Sequence, residues 1–130
     1  MAELEVVVGS GTHQAVAPAT RLPHRWTPEG VTVQTAFTGA HLLHLAVAGC
    51  VLNDVHREAE RLGVPVDGVR VTASGGFDAE TGHSTGISYR AEVDSPASSA
   101  DVNAVLEAVD AVAEIPRAIR AGAPVERDRG

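Results

Sequence analysis

Hydrophobic positions along this chain follow two periods, and the longest helical one dominates. The stretch Thr38 to Gly63, TGAHLLHLAVAGCVLNDVHREAERLG, predicts a single helix of about six to seven turns. Between Leu42 and Leu52 it is apolar nearly all round, interrupted only by His44 and Gly49, the pattern of a helix buried on every side. Beyond Leu52 the character changes. Asn53, Asp54, His56, Arg57, Glu58, Glu60 and Arg61 are polar while Val55, Ala59 and Leu62 keep the helical period, so this half is expected to emerge from the core. Thr38 is placed as an N-cap, and Gly63 followed by Pro65 gives a helix stop.

The other apolar positions alternate with polar ones, which predicts strands. Glu3 to Val8 and Gln14 to Ala17, separated by Gly9, Ser10 and Gly11, read as a hairpin. Pro18, Pro23 and Pro28 make Ala19 to Gly30 a loop or irregular edge ending in the turn Thr27-Pro28-Glu29-Gly30. Val31 and Val33 form a third strand before the long helix. After it, Val69, Val71 and Ala73 define one half-buried strand and Ile87, Tyr89, Ala91 and Val93 another, joined through Gly75, Gly76 and the polar stretch from Glu80 to Thr85. A helix opens at Ser98, with Asp101 as a capping-box-like partner and Val102, Val105, Leu106, Val109 and Val112 as its apolar stripe. A short last helix carries Pro116 in its first turn and closes at Gly122. The order is β-β-β-α-β-β-α-α, an α+β arrangement around a buried central helix. No repeat or linker divides it, so residues 1–130 are expected to form one domain.

Charge and composition narrow the function classes. A net charge of -7, with ten scattered arginines and no lysine, argues against a nucleic-acid backbone as partner. No apolar run reaches the roughly 18 residues of a membrane span, and the single cysteine excludes an internal disulfide. With no secretion signal before Leu4, a cytoplasmic protein is expected. Four aromatic residues leave a core of Val, Leu and Ala, which favours further burial by oligomerisation.

Cys50 is the first chemical candidate, although a buried lone cysteine behaves as a small hydrophobe unless something stabilises its thiolate. The residues around it say more. Gly39-Ala40-His41-Leu42-Leu43, then Ala46-Val47-Ala48-Gly49-Cys50, then Ala59-Glu60-Arg61-Leu62-Gly63-Val64-Pro65-Val66, resembles the central helix of the OsmC/Ohr family of osmotically inducible and organic-hydroperoxide-resistance proteins. The resemblance continues through Asp67 to Ala73, Ile87 to Val93, the helix from Ser98 and the end from Pro116 to Glu126.

That resemblance implies an OsmC-like intertwined homodimer in which two central helices lie back to back and each site sits at the interface. It makes Cys50 the residue that meets a hydroperoxide in oxidative-stress defence, recycled by an external thiol. The family's resolving cysteine falls on Ile115, just before Pro116, and its glutamate falls on Ala40, so neither is present. The family's arginine comes from the N-terminal loop, where Arg21 and Arg25 are both candidates. His41, beside Ala40, is a candidate polar or basic substitute. A metal shared by His41 and His44 lacks an evident third ligand, so no metal and no cofactor are expected. The alternative is a non-enzymatic dimer whose interfacial apolar pocket binds a small ligand or is purely structural, with Ala40 and Ile115 as greasy replacements.

Overall fold

The computed structural model describes residues 3–130. Five strands, β1 (Leu4–Gly11), β2 (Thr20–Leu22), β3 (Val31–Gln34), β4 (Gly68–Phe77) and β5 (Ser84–Asp94), form one antiparallel sheet in the order β2-β3-β1-β4-β5. Three helices, α1 (Gly39–Leu62), α2 (Ser99–Val112) and α3 (Glu114–Ala121), complete the α+β fold. Alternation sets which face of the sheet the core uses. The register places Val33, Val8, Val71 and Ala91 in one row across four strands, with Val6, Ala73 and Tyr89 in the next. Onto these rows α1 lays Ala48, Val51, Leu52, Val55 and Ala59, and α2, packed against α1, adds Val105 and Val109 to the same core. On the polar side of the sheet Arg70 reaches Glu92 through two 2.8 Å hydrogen bonds.

The N-terminal hairpin is the main correction. Gly9, Ser10 and Gly11 do not turn; β1 runs through them and pairs with β3 on one side and β4 on the other. Residues Gln14 to Ala17 are not a strand, and the second strand lies at Thr20–Leu22, a short sheet edge inside the stretch expected to be a loop or irregular edge. As a three-residue edge strand between Pro18 and Pro23, β2 needs few ladder bonds, so the flanking prolines do not forbid it. Likewise β4 continues through Gly75 and Gly76, where a connection was expected, with a shift in its register against β5 between Gly75 and Phe77.

Both ends of α1 follow their local chemistry. The Thr38 hydroxyl accepts the His41 backbone N–H at 3.1 Å. At the other end Gly63 takes φ 70°, its N–H reaching the Glu60 carbonyl while that of Val64 reaches Ala59, a Schellman closure. Thr38→Ala should therefore cost about 1 kcal/mol and lower the melting temperature by roughly 4 °C. An unchanged thermal melt would show that the cap carries no stability. Ser98 caps α2 by accepting the Asp101 N–H at 3.1 Å. The reciprocal half of a capping box is absent, since no bond from the Asp101 carboxylate to Ser98 occurs among the described residues.

The all-round burial expected of α1 is met on one side by its own chain. Within one chain His44, Val47, Ala48, Val51 and Leu52 are covered, but Leu42 is 36% exposed and Ala46 is exposed. Conversely Asp54 and Glu58, read as part of an emerging polar half, are buried at 5% and 6% exposure. No helix among the described residues is long and apolar enough to cross a membrane.

Candidate active site around Cys50

Cys50 sits midway along α1, half-buried and packed against the core edge, on the flank between the covered and the open faces. Helical spacing puts Asp54 one turn on along the same side. The Asp54 side chain is almost fully covered; Oδ1 pairs with Arg57 Nη2 at 3.2 Å, while the buried Oδ2 has no partner among the described residues. Burial raises the Asp54 pKa, Arg57 opposes that shift, and the charges of Glu114 and Glu58 add to it. Arg57 also approaches Glu58 at 3.6 Å, and Glu58 binds Arg61 at 2.9 Å. Thus one arginine, held by two carboxylates, lies two turns beyond the thiol. No hydrogen bond to the Cys50 sulfur occurs among the described residues.

The other candidates lie elsewhere in the chain. Arg21 donates from Nη1 to the Glu29 carbonyl at 2.6 Å, and the Arg25 guanidinium lies 5.4 Å from the Trp26 ring centroid. Their loop is pinned to α1 through His24, whose Nε2 is 3.0 Å from Asn53 Oδ1. His41 is taken up by the cap, its Nδ1 2.7 Å from the Thr38 hydroxyl. Nine residues of helix separate His41 from Cys50, roughly 13 Å along the axis, beyond side-chain reach within one chain. Ile115 is partly exposed on the first turn of α3, followed by the buried Pro116.

His44 is fully buried. Its Nδ1–H donates to the Ala40 carbonyl at 2.7 Å, and its buried Nε2 has no hydrogen-bond partner among the described residues. Among the described residues no three His, Cys, Asp or Glu side chains gather as a ligand set.

Two features escaped the sequence. One is a clasp in which His24 stands 5.2 Å from His56 and 5.5 Å from Trp26, centroid to centroid, and His56 Nε2 meets the buried Ser10 hydroxyl at 2.9 Å. Desolvation, with help from His24, lowers the His56 pKa to about 4. The second is a cavity of about 460 Å³ between α1, β5 and α3, with Val47, one turn before Cys50, in its wall. Neither has a short-range sequence signature, since the partners lie dozens of residues apart.

A model of the OsmC-like protein family matches residues 32–127. Among curated proteins none matches the chain. Similar solved structures include the following two. An OsmC-like protein from Mycoplasma pneumoniae superposes with a TM-score of 0.61 at 14% identity, over 68% of this chain and 66% of its own, so just under two thirds of that relative is spanned. An OsmC-like hydroperoxide resistance protein from Jannaschia sp. CCS1 gives 0.60 at 15% identity, over 98% of this chain and 93% of its own. At such identities the likeness is one of fold.

Proposed function

The chain belongs to the OsmC-like protein family, and from that premise we propose that it is a thiol protein of defence against organic hydroperoxides. The observation that carries this reading is the placement of the only cysteine, partly buried on the central helix at the edge of its open face. The Cys50 thiolate attacks the peroxide, an S–O bond forms, the O–O bond breaks, and the departing alkoxide takes a proton to leave as alcohol. Sulfenic acid remains on Cys50. An external thiol then attacks that sulfur, releasing water and leaving a mixed disulfide. A second thiol frees Cys50 and carries the two electrons away as a disulfide.

The functional unit in this reading is a homodimer joined through the open face of α1. Leu42 and Ala46 lie on that face and Phe37, 88% exposed, stands just before the helix. Gly49 fits the same picture, because a Cβ there would meet nothing within 4 Å in its own chain. Gly49→Leu should therefore leave the protomer folded and break the dimer in sedimentation; an unchanged dimer would rule out a close contact at Gly49. His41 serves the thiolate only across such an interface, whereas the loop that carries Arg25 lies against Asn53, three residues beyond Cys50 on the same helix. Arg57, held by Asp54 and Glu58, is the first arginine after Cys50 on the cysteine's own helix.

One observation favours a second, non-enzymatic reading, in which an apolar pocket binds a small ligand. The Asp54 carboxylate stands one turn from the thiol, where negative charge opposes a thiolate. Mass spectrometry after excess organic hydroperoxide separates the two. Under the peroxidase reading Cys50 advances to sulfinic and sulfonic acid when no thiol is supplied, because Ile115 replaces the resolving cysteine, and monothiol-dependent peroxide consumption disappears in Cys50→Ser. An unmodified Cys50 after prolonged exposure would overturn that reading and leave the binding one.

A further inference from the structure

We propose that the cavity between α1, β5 and α3 is a binding site for a small monocarboxylic acid with an apolar tail. This goes beyond the binding reading by fixing the ligand's chemistry, and it does not require Cys50 to react. At about 460 Å³ the cavity falls in the range of small-molecule sites. Val47, Ile87, Pro116 and Ile119 supply walls from all three elements, so the body of a ligand there exchanges water for aliphatic carbon.

The polar lining is rich in donors, which selects the head group. Ser84 Oγ accepts the Gly86 N–H at 3.1 Å, so its own O–H remains free to donate. Arg120 lies on the same lining, and its side-chain bond, to Asp110 Oδ1, is long at 3.4 Å. That carboxylate oxygen already accepts the Tyr89 hydroxyl at 3.1 Å. The remaining guanidinium N–H groups are thus open to a carboxylate, which forms shorter, charge-assisted, paired bonds with arginine. Because Asp110 already stands beside the guanidinium, each further negative charge on a ligand adds repulsion, which favours a monoanion over a dianionic phosphate. A neutral alcohol of the same length would fill the walls but leave Arg120 unused.

The position of α3 adds a consequence. Its main contact is with α1, and Pro116 is its one buried residue. A ligand seated between Ile119 and Ile87 would bridge α3 to the sheet and tie the last helix down.

Titration calorimetry with octanoate and with octanol tests this on the full chain, alongside hydrogen exchange read on α3. The expected result is octanoate binding, slowed exchange over Glu114–Ala121, and octanol at least about tenfold weaker. Arg120→Gln, a substitution at an exposed position, should weaken octanoate by a similar factor without altering octanol. Cys50→Ser should bind octanoate as the wild type does, which separates this site from the thiol chemistry. Equal binding of octanoate and octanol, or indifference to Arg120→Gln, would overturn the anionic head group and leave an apolar pocket standing. No octanoate binding, or protection elsewhere than α3, would overturn the site itself.

Discussion

Gly75→Ala should destabilise the protein by about 3 kcal/mol, at the upper end of what overpacking costs. Gly75 lies in β4 opposite Leu4 of β1 and Ile87 of β5. A Cβ there would stand 2.2 Å from the Gly86 carbonyl oxygen and 2.7 Å from His44 Nε2. Neither neighbour can step aside cheaply. The carbonyl belongs to the backbone of the paired strand, and the imidazole is fully buried and tied to the Ala40 carbonyl. Relief therefore requires α1 to lift or β5 to shift, and either loosens the core around Val47. Gly39→Ala provides the contrast, because a Cβ there meets nothing within 4 Å. Denaturant unfolding at constant m decides the matter. A Gly75→Ala protein within about 1 kcal/mol of wild type would mean the strand yields where the geometry says it does not.

Acidification should remove up to about 3 kcal/mol through His56 alone. Burial against the loop and the neighbouring His24 lower its pKa from 6.5 to about 4. Between those values the unfolded chain binds a proton that the folded chain refuses, so stability is complete above about pH 6.5 and falls as pH drops toward 4. Below that both states are protonated and the loss levels off. Asp54 acts in the opposite sense, since its raised pKa lets the folded state take up a proton earlier, restoring some stability as pH falls toward its usual value. The exposed Asp78, Glu92 and Asp94, all with lowered pKa, add acid sensitivity only at more acidic pH. Urea midpoints measured from pH 7 to 4.5 should slope downward for the wild type and flatten for His56→Gln. Equal slopes in the two proteins would exclude the clasp as the acid-sensitive element.

These two sites show where reading the sequence stops. The ends of α1 were legible to within a residue because Thr38 and Gly63 act on their immediate neighbours. The same holds for Ser98 and for Pro116 with Gly122. The early strands were harder, since Gly9-Ser10-Gly11 looks like a turn until β4 is present to pair with all three positions. Cys50 could be singled out from the pattern around it, but its surroundings could not. Asp54 and Glu58 read as solvated helix positions by local spacing, and only the packed fold, which brings the charge of Glu114 near Asp54, buries them. His24 and His56 give no mutual periodicity, being 32 positions apart in different kinds of structure, and meet only when the loop closes on the helix.

The central place of β1 in the sheet has a bearing on biosynthesis. A chain emerging from the ribosome releases β1 first, yet one of its two partner strands, β4, follows the whole of α1. At ~5–20 residues per second, the interval from Gly11 to Phe77 is on the order of several seconds. During that time Val6 and Val8 have neither β4 nor the docked helix to cover them. Nascent chains ending before β4 are thus the state most in need of a holding chaperone, and a translational pause there would lengthen the exposure rather than aid folding.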